Sequence, residues 1–219
     1  MGLYSFLKEI APSLAKEYVF EKFRGVKSLP EDTTSKFQTH TVFADKTLLD
    51  VCTSISNLDD DHKAKEYIKG RLIPEKYWGD LYYCKDIRNI TNQLEEYKDR
   101  VLPKTDCIII PFYDEAKKLV YMQARFFGDV SIRYITLQID SQAKKLWGLD
   151  RVDWNKTVYV CEGPFDAMFV DNCIAVAGAA IMSEIKYLRE HAKADLVLIF
   201  DKDYRTNYEV YGQFLKAVN

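Results

Sequence analysis

The sequence predicts an α/β protein in which a mixed helical and strand-rich region precedes a parallel sheet. From residue 156 onwards, short apolar runs alternate with amphipathic stretches in the order β-α-β-α-β-α, which is the pattern of a parallel sheet with helices in its crossovers. The region from 107 to 139 contains short β-rich runs joined by polar turns, which predicts strands without intervening helices. We therefore expect two subdomains, an α+β unit at 1–155 and a parallel β-α-β-α-β-α unit at 156–219.

Each predicted element follows from a local pattern. Residues 5–23 place apolar side chains at nearly helical spacing, with a break near Pro12 because proline interrupts a helix. The acidic run at 59–61 opens a helix that ends at Ile73, and we interpret this run as a solvated helix start and not as a metal site. The later elements are a strand at 157–162, a helix at about 164–171, the strand "CIAVAG", the helix "MSEIKYLREHA", the strand "DLVLIF" and the helix "YEVYGQFLKAV".

Composition and charge exclude several classes of protein. Hydrophobic residues make up 47% of the 219 residues, which indicates a folded chain and not a disordered one. The net charge is -2, so a nucleic-acid-binding surface has to be local. The five cysteines are widely spaced and form no C-x-x-C pair, which argues against a disulfide framework and a zinc site. No apolar run approaches the roughly 18 residues of a membrane span, so we expect a soluble, cytoplasmic protein.

Carboxylates follow two of the three predicted parallel strands. Glu162 comes directly after the first strand, and Asp201 and Asp203 come after the third. Because the carboxyl ends of parallel strands share one edge of a sheet, we expect these side chains to converge there, with Asp166 close by. Carboxylates at such short range repel one another unless a cation neutralises them, and hard oxygen ligands suit Mg²⁺ or Mn²⁺. The sequence therefore predicts a metal site at this edge.

A purely structural interpretation is open for part of this set. Asp166 is predicted in the first turn of a helix, where a carboxylate stabilises the positive end of the helix dipole. The D-x-D pair can likewise cap the last helix, with Lys202 and Arg205 as ion-pair partners. Glu162 has no capping role at the exit of a buried strand, so the combination favours the metal site.

These motifs resemble a known family. The stretch "VYVCEGPFDAMF", followed further on by "LVLIFDKDYR", resembles the TOPRIM domain of bacterial-type primases, topoisomerases and some nucleases. The motif of that domain is a Glu-Gly at the end of a strand and a later D-x-D. The resemblance implies a centre for phosphodiester or nucleotidyl-transfer chemistry at Glu162, Asp201 and Asp203.

The region upstream resembles the DNA primases of the bacterial type in particular. The run "IIIPFYDEAKKLVYMQARFF" resembles a primase segment in which a strand after a charged turn ends in an arginine, here Arg125. The runs "RYITL" and "KLWGLDRV" resemble the segment that carries a basic residue, here Arg133, ahead of the TOPRIM strand. The span from about Ile73 to Arg205, with the opening "FLKEIAPSLAKEYVFEKF", is most similar to the primases of T-even-like bacteriophages.

Charge in the middle region is consistent with this resemblance on physical grounds. Between residues 117 and 145, aromatic side chains interleave with six cations against Asp129 and Asp140, the cations being Lys117, Lys118, Arg125, Arg133, Lys144 and Lys145. A basic groove with stacking platforms suits a single-stranded template or a nucleoside triphosphate. The alternative is an ordinary strand-rich core with solvated lysines, which we favour for the two lysines of the turn. Arg125 and Arg133 are better candidates, because both are predicted inside apolar strands, where a cation needs a partner.

The resemblance implies a primase catalytic core, that is, a DNA-dependent RNA polymerase that makes short RNA primers with Mg²⁺ or Mn²⁺ as cofactor. Its implied partners are a single-stranded DNA template, ribonucleoside triphosphates and, in the full-length protein, a replicative helicase. Contacts to nucleotide or DNA are assigned to Arg125, Arg133, Lys144, Lys145 and Arg205.

Two other functions remain open at this stage, a TOPRIM nuclease and a single-strand-binding module that is inactive in isolation. The sequence also departs from the family. Primases of this kind carry a zinc ribbon ahead of the polymerase core, and no set of four metal-ligating cysteines or histidines is found in this sequence. We therefore expect a fragment of a longer protein, trimmed at both ends, that binds no structural zinc.

Overall fold

The computed structural model describes residues 48–177 and 181–199, with residues 181–183 described by their backbone alone. All of these residues belong to one compact unit. The predicted helix at 5–23 and the predicted last helix "YEVYGQFLKAV" lie outside the described residues. None of the helices in the described part is long and apolar enough to cross a membrane.

The first half of the described chain forms an antiparallel sheet of five strands in sequential order. The strands are β1 (Thr53–Ser54), β2 (Tyr82–Cys84), β3 (Cys107–Tyr113), β4 (Leu119–Phe126) and β5 (Tyr134–Gln138). Helices α1 (Lys63–Gly70) and α2 (Arg88–Thr91) precede the long hairpin, together with the 3-10 turns Ile55–Asn57, Glu75–Asp80 and Glu95–Tyr97. The strand-rich middle region predicted from the sequence is confirmed.

The β3–β4 hairpin forms because two apolar runs are separated by a turn that the sequence can close. Lys117 takes a positive φ of 62°, and the Asp114 carboxylate accepts a hydrogen bond from the Lys118 backbone N–H at 2.8 Å. Alternate residues of β3 enter different hydrophobic clusters: Ile108 and Ile110 lie in one, and Ile109 lies in the other. Both faces of this strand are therefore buried.

The second half forms a three-stranded parallel sheet with its first strand in the centre. Its elements are β6 (Val158–Cys161), α3 (Pro164–Ala167), β7 (Cys173–Ala175), α4 (Ile181–His191) and β8 (Leu196–Ile199). The predicted β-α-β-α-β succession is confirmed for the described residues. The first helix is shorter than the predicted 164–171, since the chain turns back through Asn172, which has a positive φ of 52°, to begin β7.

One hydrophobic cluster joins the two sheets. It contains residues of α1 and β3 together with Trp147, Phe165 and Cys173. A separate cluster packs α4 on β6, and it includes Leu146 and Leu149 from the segment that leads into the parallel sheet. The antiparallel and parallel parts thus share a core, and Cys161 and Phe165 on either side of Glu162 belong to it.

The acidic run before α1 behaves as a solvated helix start, as predicted. Asp60 is 80% exposed in its side chain and pairs with Lys65 at 3.0 Å and Lys69 at 3.2 Å. His62 caps the helix, because its Nδ1 accepts a hydrogen bond from the Ala64 backbone N–H at 3.2 Å.

Candidate active site

Glu162 lies at the carboxyl end of the central parallel strand. It directly follows β6, whose last residue, Cys161, pairs with Ile199 of β8. Its side chain is partly buried and its Oε1 atom is fully so. Asp201 follows Ile199 by two residues in the sequence. The parallel register therefore sets Glu162 beside the strand that leads to the D-x-D motif.

Asp166 lies in the single turn of α3, directly beyond the same strand end. Gly163 is the N-cap of this turn and Pro164 is its first residue, where a fixed φ suits a helix start. A methyl group on Gly163 would lie 2.7 Å from Asp166 Oδ2. The carboxylate of Asp166 therefore folds back over the glycine, and it is exposed to solvent.

Asp201, Asp203 and Arg205 lie outside the described residues. Within the described ranges, no group of three metal-ligating side chains is assembled. The residues that are described nevertheless fit a hard divalent cation, because Glu162 and Asp166 supply carboxylate oxygens at one sheet edge and one of those oxygens is buried. Mg²⁺ and Mn²⁺ bind through few protein carboxylates of this type.

Arg125 is placed as predicted, on strand β4. Its guanidinium donates a hydrogen bond to the Phe126 carbonyl. The guanidinium carbon lies 5.7 Å from the centroid of the Tyr67 ring and 5.2 Å from that of Tyr134. Burial raises the pKa of the Tyr134 hydroxyl, whereas the neighbouring Arg125 acts to lower it. Aromatic faces stabilise this partly buried cation.

Arg133 does not lie inside a strand, so that part of the prediction was wrong. It is exposed and directly precedes β5, and its backbone carbonyl accepts a hydrogen bond from the Phe126 N–H at 2.9 Å. The loop before it turns through Gly128, which has a positive φ of 80°. The alternation that suggested a longer strand is confined to Tyr134–Gln138.

Lys144 contacts helix α4. Its ammonium lies 3.7 Å from Glu184 Oε2 and 5.5 Å from the centroid of the Tyr187 ring. The Tyr187 hydroxyl in turn donates a hydrogen bond to Glu115 of the β3–β4 turn at 2.8 Å. These contacts tie the antiparallel part to α4. The neighbouring Lys145 is partly buried.

Arg71 is a candidate site residue that the sequence reasoning missed. Its guanidinium carbon lies 5.0 Å from the centroid of the Phe165 ring in α3, and its Nη1 donates to the Tyr67 hydroxyl at 3.0 Å. Burial acts to lower the pKa of Arg71, but the hydrogen bond to Tyr67 and the charge of Asp166 raise it above its ordinary value. The charge of Asp166, a carboxylate of the candidate metal site, thus contributes to the raised pKa of Arg71.

The end of α1 explains the position of Arg71. Arg71 is the C-cap residue, and Leu72 after it takes a left-handed φ of 59°. The Leu72 N–H bonds to the Lys69 carbonyl at 2.9 Å, and the Ile73 N–H bonds to the Ile68 carbonyl at 3.2 Å. These two bonds form a Schellman motif. The helix therefore ends three residues before the predicted end at Ile73.

Aromatic and cationic side chains from four elements meet in a surface that we call the Tyr67 surface. Its members are Lys63, Tyr67, Arg71, Arg125, Phe127, Tyr134 and Phe165. Lys63 lies over the Phe127 ring at 5.6 Å and is also paired with Asp106. Alternating rings and cations of this kind can stack on bases and contact phosphates. Arg125, Phe127 and Tyr134 belong to the basic and aromatic region at 117–145 that the sequence analysis singled out. The members of this surface from α1 and α3 had no such signal.

A cavity of about 310 Å³ lies elsewhere, at the start of β7. It is lined by residues that include Lys76, Tyr77, Arg151 and Cys173. Arg151 is already paired there with Asp80 at 3.2 Å. Because β7 begins at Cys173, this cavity lies at the amino end of the strand and not at the carboxyl edge that carries Glu162.

Known proteins resemble this chain in sequence and in fold. No family model matches the sequence. The chain is 31% identical over 190 residues to a DNA primase of Enterobacteria phage T4, a match that covers 84% of the chain and 54% of the relative. The chain therefore spans about half the length of the curated relative it matches.

Solved structures with the same fold are primase cores. The zinc-binding and RNA polymerase domains of the Aquifex aeolicus primase match with a TM-score of 0.56 and 17% identity, over 92% of this chain and 57% of that one. A DnaG primase catalytic domain bound to single-stranded DNA matches with a TM-score of 0.59 and 13% identity, over 79% of this chain and 64% of that one. The sequence match and the shared fold together confirm the resemblance of this chain to the DNA primases of the bacterial type.

Proposed function

We propose that the chain is the catalytic core of a DNA primase, which synthesises short RNA primers on single-stranded DNA during phage DNA replication. One observation carries the proposal: Glu162 directly follows the central strand of a parallel sheet, and the strand hydrogen-bonded beside it leads in the sequence to Asp201 and Asp203. The similarity to a phage DNA primase supports the same conclusion.

In this proposal Glu162, Asp201 and Asp203 hold Mg²⁺ or Mn²⁺, and Asp166 supports them from the first turn of α3. The chemistry that such an ion would supply there is activation of a primer 3′-hydroxyl and neutralisation of charge on the triphosphate. Glu162 presents a partly desolvated carboxylate at the end of β6, and the backbone of this strand fixes its position. Gly163 keeps the space into which the Asp166 carboxylate folds.

Nucleic acid and nucleotide are bound, in this proposal, by the cations next to that edge. Arg125 and Arg71 contact phosphate from the Tyr67 surface, and Arg133 extends the contact from the exposed loop before β5. Lys144, Lys145 and Arg205 remain predicted contacts. Support comes from the geometry of the surface and from the fold that the chain shares with a primase domain bound to single-stranded DNA.

The same proposal includes a cellular location, a partner protein and a subdomain boundary. The chain works in the cytoplasm of the host cell, off the membrane, with a replicative helicase as partner of the full-length protein. The subdomain boundary is proposed between residues 155 and 156, directly before the first parallel strand.

The test is RNA synthesis on single-stranded DNA with labelled ribonucleotides, in the presence of Mg²⁺ or Mn²⁺. Short products from the wild type that vanish in Glu162→Ala and in Asp201→Ala/Asp203→Ala are expected. Asp171→Ala is a matched control, because this aspartate is 97% exposed in its side chain and pairs only with Lys76 among the ion pairs described. Wild-type activity in Glu162→Ala would refute the site assignment.

Two other outcomes would replace the proposal. Metal-dependent cleavage of a labelled strand in the absence of nucleotides, with no synthesis, would indicate a nuclease. Salt-sensitive binding that needs no metal and persists in Glu162→Ala, with neither synthesis nor cleavage, would indicate a binding module.

A further inference from the structure

Tyr67 lies next to two arginines that come from different elements. The guanidinium carbons of Arg71 and Arg125 are each 5.7 Å from the centroid of its ring. Arg71 follows Tyr67 by one helical turn at the end of α1, whereas Arg125 is on strand β4. One aromatic ring therefore connects two cations whose backbones are far apart in the sequence.

The contacts of Tyr67 counteract the repulsion between the two cations. The negative face of an aromatic ring attracts a guanidinium, and the Tyr67 hydroxyl also accepts a hydrogen bond from Arg71 at 3.0 Å. A guanidinium has five N–H donors. Arg71 donates to the Tyr67 hydroxyl, and Arg125 donates to the Phe126 carbonyl and to the Tyr134 hydroxyl, so both retain further donors for a ligand.

Tyr67 is itself held in place by packing. Its ring meets the Phe127 ring edge-on at 5.4 Å and lies 6.5 Å from the Phe165 ring. Phe165 is 3% exposed and belongs to the cluster that joins the two sheets. The position of the ring is thus set by the core, and the two arginines take their positions from the ring.

We propose that Tyr67 is a positioning residue that holds Arg71 and Arg125 as a pair for the phosphates of single-stranded DNA. The inference depends on the proposed function for the identity of the ligand. Tyr67 acts through the two arginines and carries no phosphate contact of its own. Its removal therefore lowers the number of phosphate contacts without changing the charge of the protein.

The experiment measures binding of a fluorescent oligo(dT) by anisotropy over a range of salt concentrations. The slope of log K against log salt changes by about 0.7 for each phosphate contact on a single strand. Tyr67→Leu should bind about tenfold more weakly at low salt. The magnitude of its salt slope should be smaller by the amount that corresponds to one or two phosphate contacts. Tyr67→Phe keeps the ring and loses the hydroxyl, so its slope should fall by at most one contact.

Controls separate positioning from general destabilisation. Tyr82→Leu removes another partly buried tyrosine, one in β2, and should leave the slope unchanged. In an Arg71→Gln/Arg125→Gln background, a further Tyr67→Leu change should have no effect on binding. Urea unfolding of each variant shows whether the folded fraction is the same under the assay conditions.

The outcomes distinguish this inference from the proposed function. Weaker binding by Tyr67→Leu with an unchanged salt slope would mean that the ring stacks on a base or has a structural role only, and it would overturn the inference while primer synthesis stands. A wild type that neither synthesises primers nor binds DNA would overturn the proposed function and, with it, the role of the arginine pair.

Discussion

The carboxylate of Asp166 occupies the space that a side chain on Gly163 would need. A methyl group there would lie 2.7 Å from Asp166 Oδ2, closer than two such atoms can approach. The backbone of Gly163 has φ -118° and ψ 146°, which any residue can adopt. The glycine is therefore needed for the position of the neighbouring carboxylate and not for the backbone.

If the proposed function holds, Gly163→Ala should lower primer synthesis by about tenfold or more while the fold is retained. The methyl group turns the Asp166 carboxylate away from the strand end, and a shift of this kind at the proposed metal site is expected to lower the rate. The unfolding free energy should change by less than about 1 kcal/mol. Synthesis rates and urea denaturation of the purified variant measure the two effects.

A double variant provides the control for that prediction. Once Asp166→Ala has removed the carboxylate, a methyl group at residue 163 has nothing to displace. Gly163→Ala/Asp166→Ala should therefore be no slower than Asp166→Ala alone. If the two changes were additive, the methyl group would act on something other than Asp166.

Leu72→Gly should stabilise the protein by up to about 1 kcal/mol. Leu72 has a left-handed φ of 59° and is 78% exposed. Its backbone is therefore strained, and its side chain buries too little surface to offset that strain. Left-handed backbone costs roughly 1–2 kcal/mol for a residue with a side chain, and glycine avoids this at an entropic cost of roughly 0.5–1 kcal/mol. Urea denaturation should show a higher midpoint for Leu72→Gly, whereas Leu72→Ala, which keeps the strain, should stay near the wild type. A lower midpoint for glycine would contradict the strain argument.

Asp106 should stabilise the protein at neutral pH and lose this effect in acid. Burial acts to raise the pKa of Asp106, but hydrogen bonds from Lys63 and Tyr83 lower it below its ordinary value. A depressed folded-state pKa gives stability that is present above the unfolded-state pKa of about 3.9 and is lost as the pH falls through the folded value.

Asp106→Asn tests this pH dependence. At pH 7 the variant should be less stable by about 2 kcal/mol, because charge-assisted hydrogen bonds become neutral ones. The difference should shrink as the pH is lowered below about 4. Unfolding free energies of both proteins at several pH values measure it, and a difference that is independent of pH would exclude the carboxylate charge as the cause.

Lys144→Ala should destabilise the fold by up to about 1 kcal/mol, because it removes a partly exposed ion pair to the nearly buried carboxylate of Glu184. Lys156→Ala is the matched control, since that lysine is 73% exposed in its side chain and pairs with the partly exposed Asp153. Chemical denaturation of both variants gives their unfolding free energies and so measures the contribution of Lys144 to stability. DNA binding measured on the folded variant then shows whether Lys144 also contacts nucleic acid, as the sequence predicts.

The sequence predicted the parts of the fold that depend on local pattern and on general rules of topology. The alternation of apolar runs predicted the parallel strands, and the rule that parallel strands end at one edge placed Glu162 there. The length of α3 could not be predicted, because the left-handed turn at Asn172 has no signal in the hydrophobic pattern.

The Tyr67 surface shows what sequence patterns leave out. Tyr67, Arg125 and Phe165 come from a helix, an antiparallel strand and a turn after a parallel strand. Only tertiary packing brings them together, so no spacing along the chain announces the cluster. Arg71 was missed for a related reason, since Phe165 and Asp166, which place it at the site, lie more than 90 residues further along the chain.

Phe165 belongs both to the core that joins the two sheets and to the surface that carries the arginines. Core packing and the proposed recognition therefore share one side chain, and a substitution at this position has to satisfy both. A replacement that satisfies the core by volume alone, such as leucine, would still remove the ring on which Arg71 lies. Only an aromatic side chain both fills the core and keeps a ring beside Arg71. A substitution chosen here for stability alone would therefore remove the Arg71 contact unless it retained a ring.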